Sequence, residues 1–170
     1  MKFETIFVTV GTTEFNDLIR KLSKDEVFQL FKEHLGCKNL TIQIGKGESV
    51  SFDHFKGIEV EIFDLKKSIL EDIEKADLVI SHAGAGTCID VLKKEKPLIV
   101  VINDTLMNNH QIELAEQLSA DNYLFHTSVK NLPNTLKNFD ISLLKKYEKG
   151  NIDGFIEYLD DVMGFAEQND

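Results

Sequence analysis

The stretch that decides the fold is Asp77-Leu78-Val79-Ile80-Ser81-His82-Ala83-Gly84-Ala85-Gly86-Thr87, residues 77–87. It opens with a short aliphatic run that is typical of a buried strand. After two glycines, a helical pattern follows from Thr87 to Lys96 and ends before Pro97. A strand that turns through glycines into a helix is half of a βαβ unit, so this stretch predicts a parallel sheet with helices on its faces.

The rest of the chain repeats this alternation. Runs rich in β-branched or alternating apolar residues predict further strands at 5–10, 39–44, 58–63, 98–102 and, more weakly, 122–126. Apolar residues at helical spacing predict helices at 27–35 before Gly36, from Ser68 to Ala76, and at 109–118. We therefore predict an α/β fold: a single Rossmann-like domain with a parallel sheet over residues 1–150. An acidic amphipathic helix is expected at 151–170.

Composition excludes several classes of protein. The 170 residues include 29 acidic and 19 basic side chains, a net charge of -10, which argues against a nucleic-acid binder or a polybasic membrane anchor. The longest apolar run, 98–102, is far shorter than a membrane span, and no signal-peptide pattern is present. Two cysteines, Cys37 and Cys88, are too few for a disulfide framework or a structural zinc site. We expect a cytoplasmic globular domain.

Three polar loops follow predicted strands and therefore share one edge of the sheet. They are Gly11-Thr12-Thr13, the 81–87 loop and residues 103–111. In open parallel sheets ligands bind beyond the carboxyl ends of the strands, so these loops form the candidate site.

The 81–87 loop suits a phosphate or diphosphate. Gly84 and Gly86 allow a backbone to approach a ligand closely, and the helix that follows offers free N–H groups. The loop is not the dinucleotide fingerprint, because the third glycine position holds Ile89. It is not a P-loop either, since no Gly-Lys-Ser/Thr occurs. The alternative is a tight turn whose glycines serve only strand–helix packing.

Other side chains near this edge have two interpretations each. Asp90, one helical turn beyond Gly86, is either a ligand of ribose hydroxyls or a first-turn acid that complements the helix dipole. His82 and His110 are either acid–base groups or structural residues. Asn108-Asn109-His110-Gln111 suits a hydroxyl-rich ligand such as a sugar, or else caps a helix.

Patterns of other mechanisms are missing. The sequence has no His-Glu-x-x-His, no Gly-x-Ser-x-Gly and no cluster of soft zinc ligands, so no metal site is expected. Cys88 lies at the predicted helix start, which could lower its pKa, but nothing near it in sequence suggests a nucleophile's partner. We expect it to pack in the core or the loop.

Four segments in the same order resemble one known family: 7–13, 76–87, 96–103 and 106–111. They are similar to the donor-binding half of glycosyltransferase family 28. Within it, they resemble the catalytic subunit of the two-subunit UDP-N-acetylglucosamine transferase that adds the second sugar to the dolichol-linked N-glycan precursor. A bacterial relative builds the peptidoglycan lipid precursor. The resemblance implies a fold equivalent to the C-terminal half of a GT-B glycosyltransferase.

The resemblance also implies roles for individual residues. The diphosphate of UDP would be held by two loops, Gly11-Thr12-Thr13 and Gly84-Ala85-Gly86-Thr87. Asp90 matches the ribose-binding acid, where relatives commonly have Glu. Residues 108–111 (Asn108, Asn109, His110 and Gln111) match the segment that faces the donor sugar, and 63–68 matches the region near the uracil.

By the same resemblance, the acceptor half is a separate membrane-anchored subunit at the cytosolic face of the endoplasmic reticulum. The reaction would be an inverting transfer from UDP-N-acetylglucosamine, with no cofactor and with the general base on His82, His110 or the partner. The tail at 151–170 holds six acidic residues and no Lys or Arg, and we expect it to dock on a basic surface of that partner. Two alternatives are a UDP-sugar-binding module without catalysis and the donor half of a bacterial exopolysaccharide transferase.

Overall fold

The computed structural model describes residues 2–103 and 109–147, with only the backbone described for 109–111. Asn108 and the predicted tail helix at 151–170 therefore lie outside the described residues. No helix among the described residues is long and apolar enough to span a membrane.

Six parallel strands form one sheet in the spatial order β3-β2-β1-β4-β5-β6, which confirms the predicted Rossmann-like fold. Their bounds are β1 Thr5–Thr9, β2 Asn39–Gln43, β3 Glu59–Phe63, β4 Leu78–His82, β5 Leu98–Ile102 and β6 Phe125–Ser128. The chain order reverses between β1 and β4, where Val8 pairs with Ile80. At such a switch point the loops after the two strands diverge to opposite faces and leave a crevice for a ligand.

Helices cover both faces of the sheet. The helices are α1 Asn16–Leu22, α2 Asp25–Gln29, a π-helix at Leu30–Leu35, α3 Leu70–Lys75, α4 Ala85–Lys93, α5 Asn109–Ala120, α6 Leu132–Lys137 and a 3₁₀ turn at Ile141–Leu143. The first face packs α1, α2, the π-helix and α6, and it buries Val8 and Ile80 completely. The second packs α3, α4 and α5 against Val79 and Val100. Each such buried aliphatic side chain contributes about 1.5–3 kcal/mol, so the two layers hold the strand ends in fixed positions.

The strand and helix bounds differ from the prediction in a few places. The helix predicted from Thr87 to Lys96 begins two residues earlier and ends three earlier, because Glu95 adopts a left-handed φ of 53°. Asn122 has a φ of 63°, so it belongs to a turn, and the strand predicted at 122–126 is shifted to 125–128. Gly36 ends the 27–35 helix with a φ of 74°, as predicted.

Candidate functional site

Buried polar side chains collect at the carboxyl edge of the sheet. Among the described residues, every buried polar side chain lies at or next to the carboxyl end of a strand: Thr9, Gln43, Ser81, Asn103 and Thr127. Burying a polar group costs free energy unless it is hydrogen-bonded, so such groups persist where they organise something. Here Thr9 and Ser81 lie at the ends of the two strands that lead into the 11–13 and 81–87 loops.

The first loop is fixed from below by Thr9 and Gln43. The Thr9 hydroxyl donates to Gln43 Oε1 over 2.5 Å, and its oxygen accepts the N–H of Gly11 over 3.0 Å. Gly11 has a φ of 65°, a conformation that glycine adopts without strain. The buried pair therefore sets the path of the chain at Gly11.

Hydrogen bonds also tie this loop to the end of β2. The Thr13 hydroxyl donates to the Val10 carbonyl over 3.0 Å, and the Thr13 carbonyl accepts the N–H of Lys46 over 2.9 Å. Thr12 lies between these anchors, and its side chain is exposed. The loop is thus rigid at its ends and accessible at its centre.

The His82 imidazole is wedged between the first and second loops. A Cβ placed on Gly11 would lie 2.7 Å from His82 Cε1, and one placed on Gly84 would lie 2.6 Å from His82 Nε2. Real Cβ atoms do not come this close to another atom, so the ring fits only because both neighbours are glycines. The structure thereby brings Gly11, His82 and Gly84 together, as their positions on neighbouring strands predict.

Burial keeps His82 neutral. Desolvation lowers the pKa of His82 below its ordinary value, while the Thr9 backbone acts in the opposite direction. Nδ1 is buried and has no hydrogen-bond partner among the described residues. A neutral imidazole is in the protonation state that a general base needs, and an acid–base role for His82 stays a prediction.

The second loop presents free N–H groups to the rim. The first bond of α4 runs from Cys88 N to Gly84 O over 3.0 Å, and no side chain caps the helix. The N–H groups of Ala85, Gly86 and Thr87 therefore have no acceptor among the described residues, and they lie at the positive end of a nine-residue helix. This is the arrangement that binds phosphate.

The space around Gly86 bears on the two interpretations of the glycine loop. A Cβ placed on Gly86 would meet nothing within 4 Å, so this glycine does not serve strand–helix packing. Gly84 is different, since its tight contact is with His82. Phosphate approach would account for a glycine inside the first turn of a helix, where alanine is more stable, and this role stays a prediction.

Asp90 lies in the second turn of α4, not the first. Because the helix begins at Ala85, no acid stands in its first turn, and the dipole effect has largely faded by Asp90. Its half-buried carboxylate makes no hydrogen bond or ion pair with any described residue. Asp90 and Gly86 are four residues apart and lie on one helix face, so the carboxylate is available to a ligand that touches Gly86.

The remaining predicted site regions are residues 108–111 and 63–68. Residues 109–111 begin α5, but the side chains of Asn109, His110 and Gln111 lie outside the described structure, as does Asn108. The 63–68 region follows β3. There Phe63 stacks on Phe7 with ring centroids 6.5 Å apart, and Lys66 Nζ lies 3.9 Å from the Phe63 centroid.

Both cysteines are inert core residues. Burial raises the pKa of each thiol to about 12, which corrects the notion that the helix start lowers the pKa of Cys88. We predict that neither Cys37 nor Cys88 is alkylated by iodoacetamide at pH 8 in the native state, whereas both react in urea. Mass spectrometry after a timed reaction measures this, and rapid native labelling of Cys88 would contradict its burial.

Comparison with known proteins identifies the family. A family model described as the glycosyltransferase family 28 C-terminal domain matches residues 5–156. The chain belongs to glycosyltransferase family 28. Among the described residues of this family 28 domain, no group of three or more His, Cys, Asp or Glu side chains is placed to hold a metal ion.

Curated relatives narrow the resemblance within the family. The UDP-N-acetylglucosamine transferase subunit ALG13 of Homo sapiens is 50% identical over 129 residues, 74% of this chain but 11% of the human protein. The Cryptococcus neoformans protein of that name is 30% identical over 195 residues, covering 95% of this chain and 97% of the relative. The family 28 chain is thus a homologue of these subunits, although it spans about a tenth of the human one.

Solved structures agree on the fold. An NMR structure of ALG13 superimposes with a TM-score of 0.71 at 27% identity, covering 93% of this chain and 96% of that one. The MurG structure from Acinetobacter baumannii gives a TM-score of 0.62 at 17% identity and covers 43% of that protein. The fold of this family 28 chain therefore corresponds to somewhat less than half of the MurG structure.

Sequence reasoning missed the residues beneath the loops. The sequence patterns assign Thr9 and Gln43 only to strands and give Gly45 no role. A polar residue at the last position of a predicted strand, next to the loop that follows, is the signal that could have found the first two. Gly45 has a φ of 60° and lies against the backbone of Thr13, a non-local contact with no local pattern.

Proposed function

We propose that this chain is the donor-binding half of a heteromeric glycosyltransferase. It would transfer N-acetylglucosamine from UDP-N-acetylglucosamine to dolichyl-diphospho-N-acetylglucosamine, the second step of N-glycan precursor assembly. The observation that carries the proposal is the uncapped start of α4, where a Cβ on Gly86 would meet no atom within 4 Å and three N–H groups have no acceptor among the described residues. The relatives are UDP-N-acetylglucosamine transferase subunits, which supports the choice of donor.

The proposed mechanism depends on stabilising the negative charge that develops on the departing UDP. The 4-hydroxyl oxygen of the acceptor attacks C1 of the donor sugar from the face opposite UDP, and the bond from C1 to the β-phosphate oxygen breaks. That oxygen leaves with the bonding electrons, and the N–H groups of Ala85, Gly86 and Thr87 stabilise it without rearranging. The acceptor proton passes to a general base, either a histidine of this rim or a group of the partner. No cofactor takes part.

The proposed ribose contact gives a direct prediction. We expect Asp90→Ala to weaken UDP binding about 10- to 100-fold, because a charge-assisted hydrogen bond contributes about 1.5–3 kcal/mol. Isothermal titration calorimetry measures it, with Glu33→Ala as the control that removes an exposed carboxylate far from the rim. Equal affinities for Asp90→Ala and the unaltered chain would remove Asp90 from the donor site.

A partner is required for the complete reaction. The word "subunit" in the relatives' names supports an assembly. We infer a membrane-anchored acceptor-binding subunit that recruits this chain to the cytosolic face of the endoplasmic reticulum. The 151–170 tail is the proposed docking segment.

Reconstitution tests this proposal. The purified chain is expected to bind UDP-N-acetylglucosamine but to transfer no sugar until the partner subunit is added with a short-chain dolichyl-diphospho-N-acetylglucosamine. Asp90→Ala in the same mixture is the control for donor use. Binding without transfer in the presence of the partner would favour a non-catalytic UDP-sugar module. Transfer to a different lipid-linked acceptor would favour an exopolysaccharide enzyme.

A further inference from the structure

We propose that a second phosphate-binding site lies on the same rim, in a basic cleft between α1 and the turn that joins β6 to α6. The cleft has a volume of ≈ 430 Å³, within the range of small-molecule sites. We call it the α1–β6 cleft. Its walls carry Arg20, Lys21, Lys24 and Lys130.

The cleft is positively charged, whereas the chain as a whole is negatively charged. The chain has a net charge of -10, whereas the cleft is lined by four cations and one carboxylate, Asp17. Arg20 is paired with Glu48 over 2.8 Å and with Asp17 over 3.6 Å, and Lys21 is paired with Glu26 over 3.1 Å. The uncompensated positive charge therefore comes from the other two lysines.

Lys24 and Lys130 have no counter-ion within the part of the chain that the structure describes. Neither ammonium makes a hydrogen bond or an ion pair with any described residue, and both side chains are exposed. Lys24 also occupies the N-cap position of α2, where a lysine supplies no acceptor for the helix N–H groups. Helix capping therefore does not account for Lys24, and both ammonium groups are accessible to an anion in the cleft.

The floor of the cleft suits a partly apolar ligand. Phe15 and Ile102 are 3% and 8% exposed, and they lie beneath the cationic walls together with the buried amide of Asn103. A phosphate ester with an organic substituent contacts both kinds of surface. The cleft therefore fits a phosphate or diphosphate, either free or bound to a larger group.

The cleft adjoins the donor loops. Phe15 and Asp17 follow the Gly11-Thr12-Thr13 loop, and Val101 of β5 is in register with His82 of β4. If the proposed function holds, the acceptor also carries a diphosphate, on the far side of its sugar from the bond that forms. The α1–β6 cleft would then contact that diphosphate from the donor half while the partner subunit binds the rest of the acceptor, so this part of the inference rests on the proposed function.

Pyrophosphate titration separates the two sites. With UDP at saturation, the chain is expected to bind one further inorganic pyrophosphate, detected by calorimetry or by NMR shifts of the Lys24 and Lys130 amides. Lys24→Gln/Lys130→Gln should weaken this event about tenfold or more while leaving UDP affinity unchanged. The matched control is Lys93→Gln/Lys137→Gln, which removes the same charge from the last turns of α4 and α6.

Each outcome decides the inference. No pyrophosphate binding once UDP is bound, or equal losses in the two double variants, would overturn it. A chain that does not bind UDP refutes the proposed function alone, because pyrophosphate binding that depends on Lys24 and Lys130 would still show the cleft.

A vesicle assay identifies the source of the phosphate. The chain is sedimented with phosphatidylcholine vesicles that contain about 10% phosphatidic acid, an anionic lipid. Sedimentation with vesicles of phosphatidylcholine alone is the comparison. Retention that is lost only in Lys24→Gln/Lys130→Gln assigns the site to a lipid headgroup. Pyrophosphate binding without retention assigns it to the extended diphosphate of an acceptor.

Discussion

Replacing Gly45 by alanine is expected to cause the largest loss of stability of any single glycine substitution near the rim. A Cβ at this position would lie 2.1 Å from the Thr13 carbonyl oxygen and 2.9 Å from the Gly11 carbonyl oxygen. Both are backbone atoms of an anchored loop and cannot rotate away. Gly45 also has a φ of 60°, which costs an alanine about 1–2 kcal/mol. With about 1–3 kcal/mol for overpacking, the free energy of unfolding should fall by about 2–5 kcal/mol.

Gly57→Ala is the matched control for this prediction. Gly57 has a φ of 89°, but the nearest atom to its Cβ would be Lys32 Nζ at 3.4 Å, at the end of a flexible side chain. The free energy of unfolding of this variant, measured by urea titration, should fall only by the cost of the left-handed φ, about 1–2 kcal/mol. Equal decreases in the free energy of unfolding of the two variants would mean that the close contact between Gly45 and Thr13 does not affect stability. Gly45→Ala should also weaken UDP binding, because it displaces Gly11 and Thr13, whereas Gly57→Ala should not.

Gly86→Ala is expected to separate binding from stability most clearly. Its Cβ meets nothing within 4 Å, and alanine in a helix is more stable than glycine by about 1 kcal/mol, so the variant should unfold no earlier than the unaltered chain. The added methyl group occupies the space through which the diphosphate approaches the N–H groups. UDP affinity should therefore fall about tenfold or more, which corresponds to about 1.4 kcal/mol.

Gly84→Ala provides the contrast on the same loop. Its Cβ would lie 2.6 Å from His82 Nε2, and the ring cannot retreat because Gly11 is on its other side. This variant should lose about 1–3 kcal/mol of stability. Thermal unfolding and UDP calorimetry on both variants make the comparison. If Gly86→Ala binds UDP as tightly as the unaltered chain, the first turn of α4 is not the phosphate site.

The strands and the edge that carries the candidate site are predictable from local patterns. Parallel strands are buried on both faces, so runs such as 98–102 are continuous and unmistakable. The rule that ligands bind beyond the carboxyl ends of such strands then placed the 11–13 and 81–87 loops together, as the structure confirms.

Features that depend on contacts between distant segments were not predictable. The wedge of His82 between Gly11 and Gly84 requires the spacing of β1 and β4, and the contact of Gly45 with Thr13 requires that of β1 and β2. The start of α4 was placed two residues late because glycine is a poor helix former, yet Gly86 lies within the helix. That shift moved Asp90 from the first turn to the second and changed its interpretation. α6 was missed, although Asn131 and Pro133 are typical of a helix start.

The most direct test of the central claim is an NMR titration of the ¹⁵N-labelled chain with UDP, with uridine as the control that lacks the diphosphate. The account predicts saturable binding of UDP, with the largest shifts at the amides of Gly11, Ala85, Gly86 and Thr87, and much weaker binding of uridine. Shifts confined to other parts of the chain, or equal responses to UDP and uridine, would contradict the claim that these two loops hold the diphosphate.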